Sequence, residues 1–135
     1  MRKLIYLLIL VFTFSACKKE KGTEVFNGTY EGSFIVRIDG KKTNYESKIL
    51  FGNGKYKTLK GAKGGSGTFV FMNSTDAMVN FNDENIWTAD FDWNLILSGL
   101  FTYKAQGDSL ILTRSLPYTA ENGNKLYQYR LKRIR

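Results

Sequence analysis

The chain has 135 residues, with 20 lysines and arginines against 12 aspartates and glutamates, for a net charge of +8 at pH 7. That length suits one domain with a core of its own. Histidine is absent and cysteine occurs once, which excludes imidazole chemistry and a disulfide within the chain.

The chain opens on Met1-Arg2-Lys3, runs through eleven largely apolar residues from Leu4 to Phe14, and meets small residues at Ser15 and Ala16 before Cys17. Charged, then apolar, then small is the order of a secretory signal. The apolar run is well short of the ~20 residues a membrane-spanning helix needs. A small residue directly ahead of a cysteine resembles the bacterial lipobox, with Phe14 where leucine is usual. The resemblance implies cleavage before Cys17 and acylation of its thiol by diacylglycerol, with a further amide-linked chain such as palmitate in some members. One acyl chain gives only marginal membrane binding, whereas two or more anchor stably. The expected organisation is a cleaved signal peptide over 1–16, a flexible tether over 17–24 and a folded domain over 25–135. The tether, Lys18-Lys19-Glu20-Lys21-Gly22-Thr23-Glu24, is polar and lacks periodicity. Its style resembles lipoproteins of the Bacteroidota, which implies a lipid anchor in the cell envelope, at the outer membrane. The positive balance is read as a well-solvated surface. No run resembles a nucleic-acid-binding signature, so no nucleic-acid partner is expected.

From Asn27 on, the sequence alternates with period two. Tyr30, Gly32, Phe34, Val36 and Ile38 share one face of the first strand, with Ile35 an apolar exception on the other. Asp39-Gly40 suits a type I′ hairpin turn. A second strand over 43–51 places Tyr45, Ser47, Ile49 and Phe51 together, Asn53-Gly54 gives a second I′ signal, and a third strand covers 55–59. Residues 60–67 hold four glycines and read as a mobile loop. A phosphate-binding loop would need Ser or Thr after the lysine and then a helix, but Lys63 precedes Gly64 and a strand. Strands are expected over 68–72 and 77–81, and then over 87–95, where Trp87, Ala89, Phe91, Trp93 and Leu95 alternate with Thr88, Asp90, Asp92 and Asn94. Further strands follow over 98–104, from Leu110 after a Gly107-Asp108 turn, and through Tyr127, Tyr129 and Leu131.

Eight or nine short strands joined by tight turns predict an all-β domain, a small antiparallel up-and-down β-barrel of about eight strands. Asn27-Gly28-Thr29-Tyr30, the hairpin from Phe101 to Arg114 through Gly107-Asp108, and the closing Tyr129-Arg130-Leu131-Lys132-Arg133 resemble the compact lipocalin-like domains of Bacteroidota lipoproteins. Longer lipocalins carry Gly-x-Trp near the first strand, where this chain has Gly28-Thr29-Tyr30.

Chemistry is sparse. Asp83, Glu84, Asp90 and Asp92 fall within ten residues. Asp90 and Asp92 on one strand face would lie ~6.6 Å apart. Paired carboxylates or a calcium site are the sharp readings, but the calcium-loop glycine and distal glutamate are missing, and a solvated strand face accounts for the cluster. Neither an enzyme, a metal nor a cofactor is expected. The aromatic residues carry the functional expectation. Tyr30, Phe34, Trp87, Phe91, Trp93, Tyr103 and Tyr129 would line a barrel that binds a small hydrophobic molecule. In the alternative, the same side chains plug the core and the protein acts through its surface on an envelope partner. The glycine-rich loop, expected to leave one mouth uncovered, favours the first.

Overall fold

The computed structural model describes residues 25–72, 77–88 and 90–135. Eight strands form a closed antiparallel barrel in sequence order. They are β1 (Gly28–Ile38), β2 (Lys41–Gly52), β3 (Lys55–Lys60), β4 (Ser66–Phe71), β5 (Met78–Asp83), β6 (Gly99–Gln106), β7 (Ser109–Arg114) and β8 (Lys125–Ile134). β8 closes on β1, with Phe34 opposite Tyr129 and Tyr30 opposite Arg133.

Turn chemistry fixes the hairpins. Asp39 and Gly40 both take positive φ, at 51° and 80°, and so do Asn53 and Gly54, at 53° and 71°. That is the requirement of the I′ turn whose twist matches its flanking strands. The parity read from sequence holds on the inner wall. Tyr30, Phe34, Ile49 and Phe51 are buried, and Val79, Phe81, Leu110, Leu112, Tyr129 and Leu131 join them. Leu59 is an extra residue in β3, between the pairs Lys48–Lys60 and Ile49–Thr58, and bulges outward.

The barrel has two unlike ends. The lower end gathers the start of β1, the 52–55 and 106–109 turns and the end of β8. The upper end carries the two longest connections, over 84–98 and 115–124, together with that over 61–65.

The strand expected over 87–95 does not form. Residues 84–88 and 90–98 cross the upper end as a strap with one 3₁₀ turn, Trp93–Leu95. The cause is local. The Asp83 carboxylate accepts the Asn85 backbone N–H at 2.9 Å and the Asp92 carboxylate accepts that of Asn94 at 3.0 Å. Side-chain-to-backbone bonds of this kind compete with strand pairing. The fold adds a second cause, because β5 pairs directly with β6 and a closed barrel has no free edge for a ninth strand.

Candidate functional site

The seven aromatic side chains expected to line a cavity separate into two groups. Tyr30, Phe34 and Tyr129 are on the inner wall, with Phe34 and Tyr129 stacked at 4.2 Å and 16°. Tyr103 packs at the lower rim, edge-on to Phe26. Trp87, Phe91 and Trp93 lie on the strap and form a separate row. Trp87 and Phe91 stack at 4.8 Å, and Trp93 meets Phe91 edge-on at 6.2 Å. Cys17 lies outside the described residues.

The inner wall is closed to solvent. Ile49, Val79, Phe101, Leu110 and Leu112 are 0% exposed, and Tyr30, Phe34, Phe51 and Phe81 are 1%. A side chain facing a void able to hold water would keep accessible area. Apart from tyrosine hydroxyls, Ser47 is the one buried polar side chain among the described residues. Its hydroxyl has no partner. The tightness shows in Tyr129, whose phenol burial pushes well above its ordinary pKa.

Each end is sealed by the same short device. At the lower end it is Phe26-Asn27-Gly28-Thr29-Tyr30, and at the upper end Leu97-Ser98-Gly99-Leu100-Phe101. An apolar plug precedes a glycine at positive φ, 106° for Gly28 and 88° for Gly99. Two residues on, an aromatic ring faces inward. In both cases the residue paired with that ring on the adjoining strand is an arginine, Arg133 for Tyr30 and Arg114 for Phe101. The guanidinium lies over the ring at 5.2 Å in the first pair and 4.8 Å in the second, within cation–π range. A Cβ at Gly99 would crowd Arg114 at 3.2 Å, whereas one at Gly28 would lie in ordinary contact with Arg133 at 3.7 Å, so there the positive φ alone calls for glycine. Each arginine then donates to backbone carbonyls of the plug segment. Arg133 bonds Val25 at 3.2 Å, and Arg114 bonds Ile96 at 2.7 Å and Ser98 at 2.5 Å.

Further bonds fasten the strap. The Tyr56 hydroxyl donates to the Leu97 carbonyl at 2.5 Å, and the Trp87 indole N–H donates to Asp83 at 2.8 Å. Burial, aided by the nearby Asp83 carboxylate, raises the Tyr56 pKa far above the usual phenol value. Burial lowers that of Arg114. Ile96 and Leu97 are 0% and 1% exposed, so the strap's end is a plug inside the barrel mouth.

The glycine-rich stretch departs from the mobile loop expected over 60–67. Its last two residues open β4, and Gly65 and Gly67 are buried. A Cβ at Gly67 would overlap the Asn82 carbonyl across the β4–β5 seam. Gly65 accepts from Thr58 at 2.7 Å, and Lys63 reaches over the Phe91 ring at 5.5 Å. The upper mouth is therefore covered.

The clustered carboxylates have unlike surroundings. Asp83 accepts N–H bonds from Asn85 and Trp87, while Asp90 and Asp92 are exposed on the strap. Among the described residues, no three Asp, Glu, Cys or His side chains gather as metal ligands would. Two concavities lined by described residues lie on the outer wall. One of about 650 Å³ lies over β6–β8, beside Lys104, Ile111 and Arg130. Another of about 380 Å³ lies over β2–β4, beside Leu50, Lys55 and Lys57.

Sequence reading missed Arg114 and Arg133 and took Asp83 only as part of a solvated acidic cluster, although parity could have placed all three. Each extends an inward series, Val79-Phe81-Asp83, Leu110-Leu112-Arg114 and Tyr129-Leu131-Arg133. A charge where alternation calls for an apolar side chain marks a barrel rim.

The fold is thus a closed eight-stranded antiparallel barrel, consistent with a lipocalin-like architecture. Compared with family models, with curated proteins and with solved structures, the chain matches none.

Proposed function

We propose that the protein is a lipid-anchored envelope protein whose barrel is a packed scaffold, working through its surface on an envelope partner. The observation that carries this reading is the closed inner wall between two plugs. A ligand site is a preformed hollow with a few convergent polar groups, and here tightly packed rings occupy that space. A small hydrophobic molecule, the ligand expected from sequence, would have to displace Leu97 and detach Arg114 from the Ile96 and Ser98 carbonyls. The exposed apolar side chains of the upper end, Ile86, Trp93 and Tyr118, offer contact area to a partner instead. Anchoring through an acylated Cys17 rests on the charged, apolar and small-residue order ahead of it.

Two measurements test the reading. Native mass spectrometry of the purified protein should find no co-purified small molecule, and Trp87 and Trp93 emission should not change on titration with palmitate. A saturable change at one ligand per chain overturns the packed-scaffold reading. Cys17→Ser should release the protein from the membrane fraction, and a variant that stays membrane-bound without detergent overturns the anchor.

A further inference from the structure

The lower end bears a second surface whose position and charge suit one occupant. Val70, Phe71 and Met72, consecutive at the lower end of β4, are exposed by 57%, 37% and 46%. Phe71 is held in place by Phe26, Phe69 and Tyr103, whose rings lie 5.3–5.9 Å from its own. The exposed apolar rim is therefore backed by the core. Lys55 flanks this rim at the start of β3, and Lys104 lies towards the lower end of β6; both are exposed. Exposed Arg135 follows β8 at the same end, where it pairs with Asp108 at 3.5 Å. At the upper end the charge is mixed, with Glu84, Asp90 and Asp92 exposed on the strap and Lys41, Lys42, Lys60 and Lys63 exposed beside it.

We infer that the lower rim docks onto an anionic lipid surface, with Val70, Phe71 and Met72 in the headgroup layer and Lys55 and Lys104 among the phosphates. The inference rests on the anchor proposed above, and the path of the chain supports it. Val25 enters the barrel at the lower end, and from Cys17 to Val25 the backbone spans at most roughly 28 Å. Three of those intervening residues are Lys18, Lys19 and Lys21. With Glu20 and Glu24 the segment keeps a net charge of +1, and a tether so short presents the lower end to the bilayer and turns the upper end away. Apolar area at an interface and cations near anionic lipid add to one another. The acidic strap would be repelled by the same surface, which adds to the preference for the lower end that the tether sets.

The test uses the full chain, expressed so that it is processed in a bacterial envelope, purified in detergent and reconstituted into vesicles of phosphatidylglycerol and phosphatidylcholine. Cys17 is the chain's only native thiol, so acylation leaves an introduced cysteine as the single labelling site. Met72→Cys and Tyr118→Cys are each labelled with an environment-sensitive fluorophore, and quenching by nitroxide-bearing lipids is read. The expected result is strong quenching at position 72 and little at 118, with the contrast shrinking as salt is raised. Lys55→Glu combined with Lys104→Glu should reduce the quenching at 72, since each lysine lost near an anionic surface weakens binding about fivefold. Equal quenching at the two positions, or stronger quenching at 118, overturns the docking inference. So does insensitivity to both salt and the two substitutions. Quenching that requires a second copy, seen as loss on dilution of protein in lipid, assigns the rim to self-association and also overturns it. Failure of the anchor has its own signature, because an unacylated Cys17 would take up a second label, visible by mass.

Discussion

The two ends of the barrel use one sealing device and set it in different surroundings. At the lower end the plug, Phe26, meets five aromatic rings, those of Phe51, Phe69, Phe71, Phe81 and Tyr103, at 5.1–6.2 Å. At the upper end Leu97 sits in the mouth, and the polar bonds that hold its segment come from Arg114 and Tyr56. Ring packing of that kind is lost with the core itself. A strap hung on a few polar bonds can detach while the strands stay paired. The comparison teaches that the lower plug is part of the core and the upper plug is a fastened lid.

The largest test of that contrast is Phe26→Ala. Emptying a site enclosed by rings should cost about 3–5 kcal/mol, read as a lower denaturation midpoint in one cooperative transition. A loss under about 1 kcal/mol would mean the plug is dispensable. Leu97→Ala should cost less, about 2–3 kcal/mol, because a strap can settle into the space more readily than a barrel wall. Equal losses at the two plugs would erase the distinction.

Arg114→Met keeps the stem over Phe101 and removes the donors to Ile96 and Ser98. The expected cost is about 1.5–3 kcal/mol. Amide exchange should quicken across 84–98 with little change in β1 and β8. Uniform acceleration over the whole barrel would show that the strap opens only when everything does. Tyr56→Phe, which removes one bond to Leu97, should cost about 1 kcal/mol with the same localised pattern.

The smallest effect is in pH. Tyr56 and Tyr129 hold their protons more tightly when folded, mainly through burial. Above about pH 10 the unfolded chain releases these protons and the folded one does not, so alkali favours unfolding. The contribution of these two groups is fully present below pH 10 and fades above it. Tyr129→Phe should flatten that alkaline decline, and an unchanged slope would mean Tyr129 ionises in place.

How much of this was legible depended on the scale of the cause. Asp39-Gly40 and Asn53-Gly54 announce their turns because the turn geometry is a property of those two residues. Inner and outer faces follow from parity in the same way, and Tyr30, Phe34 and Tyr129 lie inside as expected. The row from Trp87 to Leu95 alternates just as well, yet it is not a strand. Asp92 turns back on the local backbone, and barrel closure leaves the row no edge to join. The first cause could be read in the residues, while the second belongs to the whole fold. Trp87, Phe91 and Trp93 therefore left the expected cavity lining. Gly65, packed against the Asp83 carboxylate, and Gly67, packed against the β5 backbone, misled for a related reason, since a glycine needed for close approach looks the same in sequence as one that loosens a loop.

The ring of strands has a seam that sets its order of assembly. Every neighbouring pair but one joins strands adjacent in sequence, and the exception joins β1 to β8. A chain threaded through an export channel, as the proposed signal peptide requires, delivers β1 first and Lys125–Ile134 last. Until then one side of β1 has its hydrogen-bonding groups unmatched, and Tyr30 and Phe34 wait for Arg133 and Tyr129. An unpaired edge is a template for pairing with another molecule. Concentration during translocation, rather than the stability of the finished barrel, would then govern the yield of closed protein. A chain cut short before residue 125 would have no way to complete the circle.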